Sequence, residues 1–406
     1  MRRAFPLLAI PLLVLMMARA QAFDIAFSGY LDARLIAPTG QQSWIKGGQG
    51  KFRFGNGDGN VRFVEGVGQA NATLLDGLSA QVTARVEPTD SSGIDLLEAY
   101  ALYAPKAEGD LSWSVKVGAF FPSISLENDD IGWASPYTLT PSAINSWIGE
   151  ELRTIGTEAN LRWNAGDMGT FAATGALICC NDEAGILMAD RGWAMGDRPT
   201  GLFERIHLPA ATTRLFHMPT PYYSGMFDEI DGSIGWYGGL TWQLPEGLGK
   251  LSVLRYDNRG DPAALTAHDT GWETKFWSFG ARTSIGGVLL IAQQLSGYTS
   301  VISRGVEQVT KFQSGFFMAS TDWDDFRFSL REDLFQTRKA PAATPSPFDE
   351  DGDAFTAAIS WTGIDHLRLT AEVIDMESRR REYTLDGLSE QQNSTQGQLS
   401  ARYAFD

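Results

Sequence analysis

The chain has 406 residues, with 43 Gly, 12 Trp and 23 Phe against only 2 Cys, and a formal charge of −16. That balance excludes broad binding to nucleic acid or to anionic lipid, and two cysteines cannot build a disulfide framework. No apolar run beyond residue 22 approaches the ~20 residues of a membrane-crossing helix; the longest is about 288–292. The chain is therefore soluble, or it crosses a membrane with strands.

In chain order, Arg2 and Arg3, the apolar stretch from Pro6 to Met17 and the small-x-small site Ala20-Gln21-Ala22 predict a signal peptide over 1–22. Cleavage would leave Phe23 first and, with Arg2, Arg3 and Arg19 gone, a charge of −19. From there to residue 406 the pattern is one of period two, with no internal repeat and no domain boundary. Ile25, Phe27, Leu31, Ala33 and Leu35 share one face, opposed by Asp24, Ser28, Tyr30, Asp32 and Arg34. Leu78, Ala80, Val82, Ala84 and Val86 repeat the scheme, as do Leu399, Ala401, Tyr403 and Phe405 at the C-terminus.

Strands are predicted near 23–36, 61–75, 78–88, 94–104, 111–121, 152–164, 170–178, 233–244, 248–257, 272–285, 288–298, 309–321, 325–337, 353–362, 366–376 and 394–405. The gaps alternate short and long. Short ones are turns such as Asp76-Gly77 and Gly286-Gly287; long ones fall near 37–60, 122–151, 179–232, 258–271, 338–352 and 377–393. A soluble sandwich has no reason to alternate loop length. The fold predicted is all-β: a closed antiparallel transmembrane β-barrel of about 16 strands, with long outer loops and short periplasmic turns. Trp113, Trp163, Trp242, Phe326, Trp361 and Phe405 lie on the apolar face beside short turns or the C-terminus, as an aromatic girdle at one membrane interface requires.

The Gly-, Asp- and Asn-rich clusters 55–60 and 349–353 match no EF-hand spacing and read as solvated turns. Cys179-Cys180 suits either a vicinal disulfide or two free thiols. The four histidines, His207, His217, His268 and His366, show no catalytic or metal-binding spacing. No metal site and no cofactor is expected.

Several motifs together resemble the porin superfamily of Gram-negative outer membranes, with the nearest likeness to the phosphate-selective porin group. They are Leu97-Glu98-Ala99-Tyr100, the run from Val115 to Pro122, Leu126-Glu127, and Arg153-Thr154-Ile155-Gly156-Thr157-Glu158. The likeness covers about 60 residues locally and the rest by strand pattern alone. It implies a sixteen-stranded barrel, commonly trimeric, whose third long connection (here 122–151) folds inward as a constriction. Lysines crowd that loop in the phosphate-selective group, whereas 122–150 has no Lys or Arg and carries Glu127, Asp129, Asp130 and Glu150.

The alternation places Arg34, Arg85, Lys116, Arg162, Arg282, Arg327, Arg331, Arg368 and Arg402 inward, with Glu65, Glu98, Glu158 and Glu372. Arg162, Arg282, Arg327, Arg368 and Arg402 fall near periplasmic strand ends and predict a loose basic belt, which would bias ion passage or else pair with acids and stiffen the wall. The acids of 127–130 would face that wall across the constriction. The expected function is a passive channel for small hydrophilic solutes or ions in the outer membrane, embedded in its lipid as a homotrimer, without nucleic acid and without covalent chemistry. The rivals are a binding or anchoring barrel plugged by 179–232, and a hydrolase using His207 and His217.

Overall fold

The computed structural model describes residues 24–88, 93–208, 223–266, 269–303, 305–340 and 348–406; the predicted signal peptide, His217 and His268 lie outside them. The first half of the barrel wall consists of β1 (Asp24–Pro38), β2 (Asn60–Leu75), β3 (Leu78–Val86), β4 (Ile94–Tyr103), β5 (Leu111–Phe120), β6 (Thr154–Asn164) and β7 (Thr170–Cys179). Two short strands, β8 (Ile206–His207) and β9 (Tyr223–Ser224), pair only with each other, outside the wall. The wall resumes with β10 (Gly235–Gln243), β11 (Gly249–Asp257), β12 (Glu273–Ile285), β13 (Val288–Ser303) and β14 (Val306–Trp323). It ends with β15 (Phe326–Ala340), β16 (Glu350–Ile364), β17 (Leu367–Arg380) and β18 (Gln391–Phe405). Every wall strand pairs antiparallel with its neighbours, and β1 closes on β18 from Gly29↔Phe405 to Pro38↔Gln396.

Sixteen wall strands match the predicted number, each within a few residues except at β13 and β14. A connection over 299–308 was expected there; instead the ladder runs on to Ser303↔Val306. Thr299 and Thr310 lie buried on the inner side of this extension. The turns at the opposite end are tight. Gly286 and Gly287 take φ of +58° and +83°, the left-handed pair that a two-residue hairpin needs and that side chains resist. Away from the hairpin ends, two bulges leave one extra residue each, Val64 opposite the Asp32/Ala33 step and Leu97 opposite Thr83/Ala84. Both extra side chains are buried.

The outer surface is apolar, with Phe27, Leu31, Leu35, Leu161, Leu240, Phe317 and Leu330 all exposed. Solvent-exposed apolar side chains in such number have no place on a soluble protein. Among the described residues no helix is long and apolar enough to cross a membrane. Trp113, Trp163, Trp242, Phe326 and Phe405 also point outward, beside the short turns or the C-terminus. Trp361, half-buried on the same face, pairs with Phe326 across β15 and β16. Phe171 joins them, stacked between Trp163 and Trp242 with ring centroids 5.9 and 5.7 Å away.

The core lies inside the wall. Two segments fold into the lumen, 122–153 and 180–208, and nearly every residue of each is shielded from solvent. The first carries α1 (Ala143–Glu151), all nine residues buried, and the second the short α2 (Ile186–Asp190). Ser142 caps α1 by accepting the Asn145 N–H at 3.2 Å, and Asp333 of the wall accepts the Ala143 N–H at 3.0 Å. A helix buried on all sides needs apolar neighbours all round. The wall supplies them. Tyr237, Leu254, Tyr256, Phe276, Ile291, Leu295, Phe312, Phe316, Phe335 and Ile374 face inward and join Trp147, Ile148, Met188 and Trp193 in one cluster. This arc departs from the polar lumen that strict alternation implies.

Candidate functional site: the charged interior of the barrel

At the end of the short turns the inner face is solvated and polar. Asn160 and Arg162 of β6, Lys116 of β5 and Arg282 of β12 point inward there, since their neighbours Leu161, Trp163 and Val117 point out. Lys250 is inward too, between outward Leu251 and the turn, and pairs in register with Arg282. Of the five arginines expected to form a belt, four meet an acid. Arg282 binds Asp129 at 3.1 Å, Arg327 binds Asp322 at 2.7 Å, Arg368 approaches Asp130 at 3.6 Å and Arg402 binds Asp32 at 2.9 Å. Arg162 instead donates to Gln243 Oε1 at 3.0 Å, and forms no ion pair among the described residues. Lys116 sits 3.8 Å from Glu158 and over the rings of Phe120 and Tyr100 at 4.6 and 4.9 Å.

The inward loop lies against the wall, not across a gap from it. Asp129 and Asp130 touch wall arginines directly, as above. Glu127 is fully buried, accepts the Ser142 N–H at 2.7 Å and the Asn145 side chain at 2.8 Å, and pairs with Arg331 at 3.4 Å. A field spanning open water between these acids and the wall is therefore replaced by direct contact. Arg331 also binds Asp333 at 2.7 Å and donates to the carbonyls of Thr140 and Pro141 at 2.8 and 3.1 Å. Glu372 accepts the Leu139 and Thr140 N–H groups at 2.6 and 3.1 Å. Glu98 and Glu158 hold the start of the loop, accepting from Phe121 N at 3.2 Å and Ser123 Oγ at 2.9 Å. The wall carboxylates thus take up backbone donors that the loop, having no sheet partner, would otherwise bury unpaired.

A second network ties 180–208 to the opposite arc. Arg34, Arg53, Arg85, Arg198 and Arg402 interleave with Asp32, Glu65, Glu87, Asp197 and Glu204. The contacts include Arg34–Asp32 at 2.7 Å, Arg53–Asp197 at 3.0 Å, Arg53–Glu65 and Arg53–Glu87 at 3.1 Å, Arg198–Glu87 at 2.6 Å and Arg85–Glu204 at 3.3 Å. Asp197 belongs to the infolded segment, and its arginine partners hold its carboxyl below the usual range against the opposing effect of burial. Burial alone dominates elsewhere: Glu151 at the end of α1 and Asp190 at the end of α2 are both pushed up to about 7.

No family model matches this chain, and no curated protein matches it by sequence. Solved structures do. The outer-membrane channel DcaP of Acinetobacter baumannii is similar over 94% of this chain and 97% of its own, at 12% identity and a TM-score of 0.55. The fold is that of outer-membrane porins. An anion-selective porin from Comamonas acidovorans aligns over 94% of this chain and 100% of its own, at 11% identity and a TM-score of 0.54. OmpT of Vibrio cholerae, in a trimer form, covers 95% and 100% at 11% identity and 0.51. At such identities the porin fold alone is shared.

On that porin fold, several residues singled out in the sequence lie apart from the two charged networks. Cys179 and Cys180 are joined to each other by a disulfide at the end of β7. His207 packs edge-on against Tyr223 at 4.9 Å, and His366 occupies a two-residue turn beside Asp406 at 3.6 Å. Asp58 is paired with Lys46 and Arg62, so the cluster 55–60 is a salt-bridged turn; the cluster 349–353, expected as a turn, instead opens β16 from Glu350 on, with Asp351 paired to Arg338. Sequence reading missed Lys250, Arg53, Asp197 and Arg198. Lys250 was readable from its parity next to Leu251; the other three sit in loops, where alternation carries no information.

Proposed function

We propose that the protein is a porin-type channel for small hydrophilic solutes or ions in the bacterial outer membrane, working as a homotrimer and without covalent chemistry. The observation that carries this reading is the solvated inner face at the turn end, lined by Lys116, Asn160, Arg162, Lys250 and Arg282 beneath an infolded loop. A wall built only for structure gains nothing from cations that meet no acid among the described residues, as Arg162 and Lys250 do not, whereas charged side chains around a lumen set which ions enter. Likeness in fold to channels and porins supports it. With 122–153 and 180–208 inside the barrel, the path is narrow and selective rather than a wide sieve. Phosphate selectivity is left out, because the acids of 122–150 already occupy the nearest wall arginines.

One observation favours the rival barrel with a permanent plug: the apolar cluster runs unbroken from Val67 through Trp147 to Ile374. Planar-bilayer recording separates the two. Stepwise conductance from the folded chain, with a reversal potential that moves when Arg162 and Lys250 are neutralised, supports the channel. Silence from folded protein that turns to conductance only when 180–208 is excised supports the plug.

A further inference from the structure

Where the outer loops meet the start of the infolded segment, three groups of candidate ligands gather among the described residues: Cys179, Cys180 and Glu229; Asp182, Glu229 and Asp231; and Glu183, Asp228 and Asp269. The first two are already satisfied. The cysteines form their disulfide. Asp182 accepts the N–H groups of Ile230 and Asp231 at 2.6 and 3.2 Å, and Glu229 accepts those of Cys180 and Gly232 at 2.9 and 2.6 Å. Asp231 accepts from Ser233 N at 2.6 Å and from Asp261 N.

The third group is different. Glu183 is fully buried, and among the described residues neither of its carboxylate oxygens accepts a hydrogen bond of good geometry. Ser224, whose hydroxyl faces the same carboxylate, is also fully buried and has no other partner among the described residues. Among the described residues the single cation in contact is Arg205, 2.8 Å from Asp269. A buried carboxylate without a partner is among the costliest placements in a folded chain. One oxygen from each of Glu183, Asp228 and Asp269 lies within 4.8 Å of the others, and two oxygens each ~2.4 Å from one calcium ion stand at most ~4.8 Å apart.

We propose that Glu183, Asp228 and Asp269, with the Ser224 hydroxyl, form a binding site for a hard divalent cation of the calcium class. The donors are all oxygen, which such ions require and softer metals do not prefer. Burial, reinforced by the charges of Asp269 and Asp228, pushes the Glu183 carboxyl up to about 9 when no ion is bound, so a proton and the cation compete for it. Bound, the ion clasps three separate pieces of chain: the first residues of the infolded segment, the stretch after β9 and the β11–β12 loop. The inference goes beyond the channel reading, and its test reads metal binding rather than transport.

The test uses the folded mature chain in detergent micelles, stripped with EGTA. Calorimetric titration with CaCl2 should show saturable binding with Kd of about 10⁻⁴–10⁻³ M, the range of extracellular calcium modules, and about 10 mM CaCl2 should raise Tm. Glu183→Gln should abolish both responses, Asp228→Asn should weaken binding at least tenfold (~1.4 kcal/mol), and Asp351→Asn at the start of β16 should change neither. Absence of saturable binding, or a full response in Glu183→Gln, overturns the proposal. If that variant does not fold, terbium luminescence of the wild type, sensitised by Tyr223 and displaced by calcium, decides. No displaceable signal there also overturns it.

Discussion

Replacing Trp147 by Ala removes the side chain on which the infolded helix turns. Its ring lies 5.1 Å from Phe312, 5.5 Å from Phe276 and 6.0 Å from Trp193, and its indole N–H donates to Glu151. An aromatic of this kind buries about 150–250 Å², which at about 25 cal/mol per Å² gives roughly 4–6 kcal/mol as an upper figure. Core Trp→Ala changes run to about 3–5 kcal/mol. At ~1.4 kcal/mol per tenfold, the ratio of docked to released α1 falls between about a hundredfold and several thousandfold. The loss falls on the loop. The sixteen-strand ladder keeps its own hydrogen bonds, so heat-modified gel mobility should be unchanged while amide exchange over 143–151 accelerates by that factor. On the channel reading, unitary conductance rises too. Unchanged protection of 143–151 would refute the reasoning, because it would mean that the helix is held by something other than its apolar contacts.

Arg331→Met leaves Glu127 and Asp333 buried without their cation, which costs about 3–5 kcal/mol; lower thermal stability and faster exchange at 138–142 are expected, and the double change with Asp333→Asn should recover part of the loss. Neutralising Arg162 and Lys250 to Gln should move the reversal potential in a salt gradient towards cations more than Arg402→Gln does, since Arg402 is already neutralised by Asp32; an equal shift would contradict this. Glu151 and Asp190 titrate higher in the docked state than the ~4 of a free carboxyl. Their docking contribution is therefore full below about pH 4 and is lost as pH rises towards 7. Exchange protection over 143–151 and 186–190, corrected for intrinsic rates, should fall from pH 5 to pH 8, and Glu151→Gln should flatten the slope.

The wall was legible because lipid and water impose a strict period of two. Leu31 and Leu35 against Asp32 and Arg34 need no further information, and turn chemistry at Gly286-Gly287 sets the hairpin. What alternation could not read lies where both faces are apolar. Phe316, Phe317 and Met318 follow one another in β14; the middle ring faces lipid and its neighbours face α1. A sequence pattern distinguishes apolar from polar, not lipid from protein interior, so the inner cluster was invisible. The charge sites failed for a related reason. Parity placed Arg162 and Arg282 on the inner face, and Asp32 and Asp333 beside Arg34 and Arg331 on their own strands, but Asp129, Asp197 and Glu127, which complete these pairings, come from loops whose approach depends on tertiary folding.

The apolar patch that Phe276, Ile291, Leu295, Phe312, Phe316, Phe335 and Ile374 add to the inner face of β12–β17 has a consequence for assembly. Before insertion these strands expose that patch to water in addition to their lipid-facing side, and they are therefore the stretch most prone to wrong association. Closure of the cylinder with an empty middle would leave Phe276, Phe312 and Phe316 against water, so wall and contents must condense together, with the two infolded segments acting as the template around which the last strands are drawn shut.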